Sequence, residues 1–284
     1  MNTQADIFVV GANGYVGSAV ADRLAADGAS VTGTYHSTPG RWGHRQFDFW
    51  SDDPSRLAAG DCLVFASTVE RDDRPLDEFE ARVGALTDAC SGLRFVYVST
   101  DSVFGGESGW YSEDEPTAPR SHYGRRSARF ETLVEENCTD YCIVRPSYVY
   151  GYSGGELDSR LAQTFRSLRS GEVVRYYDDY FKSPVEVNQL AAILSRVCTG
   201  GFQGTLHVGG PRMSVFEFHR RAASAFGVSP DRVEPASMPA ESSLPTDTSL
   251  DSSRVAREFG LRPAPVVESL TCSSVDDVLA TKSE

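Results

Sequence analysis

A chain of 284 residues can bury a sizeable core as one large domain or two small ones, and its ordinary glycine and proline content excludes a fibrous or low-complexity protein. The net charge of -13 repels phosphate backbones and argues against a nucleic-acid partner. Every apolar run falls short of the roughly 18 residues a membrane span needs, and the opening MNTQAD has no basic, cleavable leader, so no membrane partner and a cytoplasmic location are expected.

Six cysteines occur without a Cys-x-x-Cys pair and mostly in apolar surroundings, which points to buried free thiols. Five scattered histidines show no ligand spacing, so no metal is expected. Only two lysines occur, Lys182 and Lys282, and arginine carries nearly all the positive charge, a composition that suits a salt-adapted or high-GC source.

In chain order, DIFVVGA is a short apolar strand, and YVGSAVADRLAADG follows with helical spacing at Val16, Val20, Leu24 and Ala25, closed by Gly28. SVTGTY is a second strand, RQFDF a weak third and DCLVFAS a strong fourth. LDEFEARVGALTDAC reads as a helix, RFVYVST as a fifth strand, SHYGRRSARFETLVEEN as a helix capped by Ser121, and DYCIVRPSYVYG as a sixth strand. Beyond Gly151 come a helix in LDSRLAQTFRSLRSG, a strand in EVVRYY, a helix in VNQLAAILSRVCTG, a strand in GTLHVGG and a helix in SVFEFHRRAASAFG. From about Pro235 the chain turns polar before a short helix around VAREFG. Strands alternating with helices predict an α/β fold, a Rossmann-like doubly wound parallel sheet with a smaller C-terminal lobe. The expected division is a dinucleotide-binding domain over residues 1–151 and a substrate-binding lobe over 152–284, partly interleaved with it.

The first strand–helix junction, VVGANGYVG, places Gly11, Gly14 and Gly17 around Asn13, Tyr15 and Val16. A tight turn, a close approach of phosphate to backbone, and close helix–strand packing each favour glycine, and the helix N-terminus offers free amides to a pyrophosphate. An acidic residue at the end of the second strand would bind the adenosine ribose; here stand Tyr35, His36 and Ser37, with Arg41 and Arg45 further on. Missing carboxylate and nearby cations favour NADP(H) over NAD(H), unless the two arginines merely lie on a solvated loop.

The spacing Gly-x-x-Gly-x-x-Gly resembles the short-chain dehydrogenase/reductase superfamily, and the length resembles its extended branch, which acts mostly on nucleotide sugars. The resemblance implies that Asp48 meets the adenine and that Ala66 and Ser67 line the nicotinamide side. VSTDSVFGG, then YSEDEPTAPRSHYG, then RPSYVYG resemble the dTDP-4-dehydrorhamnose reductase family in order and spacing over residues 6–210. By that resemblance Thr100 would bond a substrate carbonyl, Tyr123 would give a proton as hydride arrives and would also contact the cofactor, and Pro146 would border the cofactor. Asp101, Ser102 and Tyr148 would face the sugar, with Ser147 beside them.

The superfamily places a lysine one helical turn after its tyrosine, and here that position is Ser127. Tyr123, Ser127, Phe130 and Val134 share one helix face, so the serine occupies the inward position. Losing a cation at contact distance would shift a phenol by about 1–3 pKa units. Arg126, three residues after the tyrosine, is the candidate substitute, although its planar fork differs from an ammonium. Lys182 and Arg175 could meet a substrate diphosphate or be ordinary surface cations. Arg145 reads as a structural ion pair, and Glu113 to Glu115 as a solvated loop.

These readings lead to an NAD(P)-dependent reductase of a nucleotide-activated keto-deoxysugar. The alternative from another class is a non-catalytic NADP-binding sensor or regulatory subunit; a sugar-nucleotide epimerase or dehydratase is a lesser one. Retention of both Thr100 and Tyr123 favours catalysis. A homodimer is left open.

Overall fold

Valine-rich runs apolar on both faces pair in parallel between covering helices. In the computed structural model, which describes residues 4–266 and residue 270, seven strands, most of them of this kind, form one sheet. They are β1 (Asp6–Val10), β2 (Ser30–Tyr35), β3 (Arg45–Gln46), β4 (Cys62–Phe65), β5 (Arg94–Val98), β6 (Tyr141–Pro146) and β7 (Gly204–Val208). The helices are α1 (Tyr15–Ala26), α2 (Leu76–Ala89), α3 (His122–Asn137), α4 (Ser159–Arg169), α5 (Val187–Thr199), α6 (Val215–Ala225) and α7 (Ser253–Phe259).

The strand order is β7-β6-β5-β4-β1-β2-β3, parallel throughout. Val9 lies opposite Val64, Leu63 opposite Phe95 and Val96 opposite Cys142. Order reverses between β1 and β4, and the crevice at the carboxyl ends of those two strands is where such sheets bind ligands.

Alternation along the strands sorts the two faces. Ile7, Val9 and Val64 point to an aliphatic layer with Val20 and Leu24 of α1 and Leu190 and Leu194 of α5. Phe8, Leu63, Phe65, Phe95 and Tyr97 point to an aromatic layer with Phe79 and Val83 of α2 and Phe130 and Val134 of α3. Ser121 caps α3, its Oγ accepting from the Gly124 amide at 2.9 Å.

Two expectations contract. The third strand spans only two residues, and the strand expected at EVVRYY is confined to Val174–Tyr177. The latter pairs in parallel with Val233–Ala236 over a separate core that includes Leu161, Phe165, Phe218 and Ala222. After Gly151 the chain returns to the main sheet through α5 and β7. The polar stretch near residue 248 is also buried: Thr248 and Ser249 are fully enclosed. Cys62, Cys90, Cys138, Cys142 and Cys198 are buried free thiols; Cys272 and Lys282 lie outside the described residues. No helix among the described residues is long and apolar enough to cross a membrane.

Candidate functional site

The glycine turn lies in the β1–β4 crevice. Gly11 has φ +81°, and a Cβ there would sit 3.0 Å from the Ala66 carbonyl oxygen. A Cβ on Gly17 would come within 2.1 Å of the Gly11 oxygen, so α1 can pack this close only with glycine. Gly14 caps α1 without any side-chain hydrogen bond, and no acidic residue stands in the first turn, which leaves its amides open to an anion. A cavity of about 420 Å³ opens here, lined among others by Gly11, Thr34, His36, Asp48, Ser67 and Arg74. Asp48 accepts from the Trp50 amide at 2.9 Å and from Ser51 Oγ at 2.8 Å, and the amide bond holds its carboxyl below the usual range. His36 and Ser37 are exposed at the end of β2.

Other residues of the turn have partners. Asn13 Nδ2 donates to the Thr38 carbonyl at 2.9 Å, and the Tyr15 hydroxyl donates to the Gly151 carbonyl at 2.8 Å. Val16 packs against the aliphatic layer, and Pro146 is buried at the end of β6 opposite Val208. Arg41 pairs with Asp22 at 3.0 Å, while the Arg45 guanidinium lies 5.2 Å from the Phe8 ring centre. Neither arginine stands as a free cation at the end of β2.

Thr100, two residues past β5, caps a 3-10 turn over Asp101–Val103, its Oγ accepting from the Ser102 amide at 3.1 Å. A Cβ on Gly124 would meet the Ser102 carbonyl oxygen at 2.1 Å, so glycine lets α3 close onto that turn. The close approach sets the Tyr123 phenol near Thr100, whose hydroxyl favours the ionised form. Burial, followed by the charge of Glu70, pushes the Tyr123 hydroxyl up to about 12. Arg71 and Thr100 pull the other way.

Ser127 Oγ donates to the Tyr123 backbone carbonyl at 3.0 Å, a bond internal to the helix. The proposed role of Arg126 needs correction. Only 2% exposed, it donates through Nη2 to the Arg74 carbonyl and lies 4.9 Å from the Phe79 ring centre, so it ties α3 to the start of α2. Its reach is drawn toward α2 because that is where an acceptor and an aromatic face lie. The cation set against the tyrosine is Arg71, with its guanidinium 4.6 Å from the Tyr123 ring centre. Arg71 and Glu70 come from a 3-10 turn at Val69–Arg71, after β4. Glu70 is buried and accepts from the Tyr97 hydroxyl at 2.5 Å; burial raises its carboxyl to about 7. The sequence signal for both was the charged run VERDD behind a strong strand, which gives no hint of what it faces.

Lys182 and Asp101 also need correction as substrate contacts. Lys182 Nζ is buried, 2.9 Å from Asp101 Oδ2, and donates to Thr248 Oγ1 at 2.7 Å. Asp101 Oδ2 accepts further from Ser147 Oγ at 2.7 Å and Thr248 Oγ1 at 3.1 Å. Burial opposes the Lys182 charge, yet Asp101 and Tyr180 together hold its pKa above the ordinary value. This network joins the β5 and β6 ends to the C-terminal lobe behind Thr100. Ser102 remains half-buried beside it.

Tyr148, with φ +44°, borders a second cavity of about 680 Å³, lined also by Arg160, Arg175, Tyr176, Tyr180 and His219. Arg160 lies 4.0 Å from the Tyr148 ring centre, and Tyr176 stacks on His219 at 3.7 Å. Arg175 pairs with Glu234 at 2.9 Å on the surface. Arg145 forms a bidentate pair with Glu131 at 2.9 and 2.6 Å. Glu113 departs from the solvated loop expected there: it accepts from the His207 amide at 3.1 Å and faces Arg254 at 3.4 Å. Among the described residues no group of three metal-binding side chains occurs.

The family model described as the RmlD substrate binding domain matches residues 75–277. A dTDP-4-dehydrorhamnose reductase of Mycolicibacterium smegmatis is 30% identical over 276 residues, covering 90% of this chain and 81% of that protein. A probable low-salt glycan biosynthesis reductase, Agl14, of Haloferax volcanii is 27% identical over 280 residues, covering 89% and 92%. Among solved structures, a dTDP-4-dehydrorhamnose reductase from Bacillus anthracis in complex with NADP superposes with a TM-score of 0.79 at 20% identity, over 94% of this chain and 97% of that one. WbmH of Bordetella bronchiseptica in complex with NAD+ does so with a TM-score of 0.79 at 20% identity, over 98% of each.

Proposed function

The chain belongs to the RmlD family of sugar-nucleotide reductases, and from that membership we propose that it reduces the keto group of a nucleotide-activated deoxysugar with a nicotinamide cofactor. The observation that carries this reading is the close approach at Gly124, which seats the Tyr123 helix on the turn capped by Thr100 beside the glycine crevice. The crevice fits a dinucleotide: Gly11 and Gly17 leave no room for a Cβ against the backbones of Ala66 and Gly11, which keeps the turn closed onto α1, and the open α1 amides suit a pyrophosphate. NADP(H) is the favoured form because no carboxylate stands at His36 or Ser37 to repel a ribose phosphate.

The bound cofactor supplies the hydride. Thr100 orients the substrate carbonyl by a hydrogen bond, and Tyr123 delivers its hydroxyl proton to the oxygen on which negative charge develops. A phenol held near 12 stays protonated at neutral pH, which suits a proton donor. The larger cavity at Tyr148 has the aromatic and cationic lining that a nucleotide-linked sugar needs.

Loss of NADPH absorbance with a panel of dTDP-linked 4-keto-6-deoxyhexoses tests the reading. Turnover by the wild type is expected, with Tyr123→Phe lowering kcat by at least about 100-fold at unchanged cofactor affinity. Tight cofactor binding without oxidation by any member of the panel would favour the sensor instead, and full activity in Tyr123→Phe would remove the assigned acid.

A further inference from the structure

Position 127 cannot supply a charge, and its hydroxyl is engaged with the Tyr123 carbonyl at 3.0 Å. Arg126 bonds through Nη2 to the Arg74 carbonyl and lies against the Phe79 face, with Nε and Nη1 buried and without a hydrogen-bond partner among the described residues. Another arginine, Arg71 on a different element, contacts the Tyr123 ring. We propose that Arg71 is the positioning cation of Tyr123 in this chain, serving from the turn after β4 the electrostatic role that a lysine on the tyrosine's own helix would have had.

Three observations converge on Arg71. Its guanidinium sits over the aromatic face of Tyr123 at 4.6 Å from the ring centre, a distance at which a cation is attracted to the ring. The turn that carries it is built into the site, because the neighbouring Glu70 is buried and bonded to Tyr97 on β5. Tyr97 in turn stacks on Phe130 of α3, with ring centres 4.1 Å apart, so turn, sheet and helix hold one another in place.

The charged and titratable groups around Tyr123 are Glu70 and Arg71 on that turn, Tyr97 on β5, and Asp101 after it; Arg126, on the tyrosine's own helix, acts on Glu70. Glu70 and Asp101 resist ionisation of the phenol, and Arg71 opposes them. An ionised phenol attracts the guanidinium more strongly than a neutral one, so removing Arg71 leaves the two carboxylates unopposed there. The side chain is exposed at the surface, so solvent screens part of the effect, and a shift at the lower end of the range for a contacting charge follows.

The inference rests on Tyr123 being the acid, yet it can be tested without turnover. Biosynthetic replacement of tyrosine by fluorotyrosine brings phenol ionisation into an accessible pH range, and the fluorine NMR signal absent from Tyr123→Phe belongs to Tyr123. Arg71→Gln should raise the Tyr123 midpoint by about one unit. Arg71→Lys should stay within a few tenths of wild type, and Ser127→Lys added to Arg71→Gln should bring the midpoint back. An unchanged midpoint in Arg71→Gln, with the other tyrosine signals at their folded positions, overturns the proposal. A shifted midpoint in a protein that turns over no keto-sugar nucleotide would uphold the Arg71 assignment and defeat only the reductase reading.

Discussion

Position 127 shows how little a spacing rule says about charge. The helix period places Ser127 inward as expected, but its hydroxyl satisfies a carbonyl of its own helix and leaves the tyrosine to other residues. Glu70 is the residue with the sharpest pH consequence. Its folded carboxyl is raised from 4.5 to about 7 by burial, so between those values the folded state binds more protons than the unfolded one, and stability falls as pH rises through that window. Glu70→Gln should therefore stabilise the protein by roughly 1–3 kcal/mol at about pH 8 and by little at about pH 4. Urea unfolding at both pH values measures the difference; an equal effect at both would show that Glu70 does not titrate as assigned.

At the scale of elements, two glycine contacts set the site. Gly124 lets α3 rest on the Asp101–Val103 turn, with the Ser102 oxygen where a Cβ would need to be. Gly124→Ala should separate Tyr123 from Thr100, lowering kcat by about tenfold or more and stability by about 1–3 kcal/mol. Steady-state kinetics and denaturant melts on the same variant report both. Gly11→Ala meets a positive φ and the Ala66 oxygen together. It should weaken cofactor binding, measured by fluorescence titration with NADPH, beyond any loss of stability. Unchanged affinity would mean that the pyrophosphate does not sit on this turn.

On the scale of the whole molecule, the lobe is tied to the sheet by a buried charge pair. Lys182→Met leaves the buried Asp101 carboxyl without its cation, and should cost about 3–5 kcal/mol. Adding Asp101→Asn should recover part of that loss; a single variant as stable as wild type would show that the tie does not hold the lobe. Two buried histidines govern the acid side. Desolvation lowers both His207 and His219 to about 3, with Arg145 adding to the effect on His207 and Arg160 on His219. Unfolding frees them to bind protons below about pH 6.5, so stability is complete above that value and declines below it, by up to about 1.4 kcal/mol per pH unit for each. His219→Gln, which keeps hydrogen bonding without a titrating ring, should flatten the acid limb of a melting-temperature profile.

Local pattern by itself determined the alternation of strands and helices, the glycine turn in the first crossover, the Ser121 cap and the inward face carrying Tyr123. Each depends on residues within a turn or two of one another, whose spacing and backbone freedom are written in the chain. Tertiary structure decided which charges meet. Arg126 is next to the right face in sequence yet turns to α2, Lys182 is buried against Asp101, and Arg71 arrives at Tyr123 from the turn after β4. The polar run around Thr248 is buried for the same reason. A charge is stabilised wherever the folded chain offers it an acceptor, an opposite charge or an aromatic face, and contacts between distant segments exist only once the sheet has brought its strand ends together.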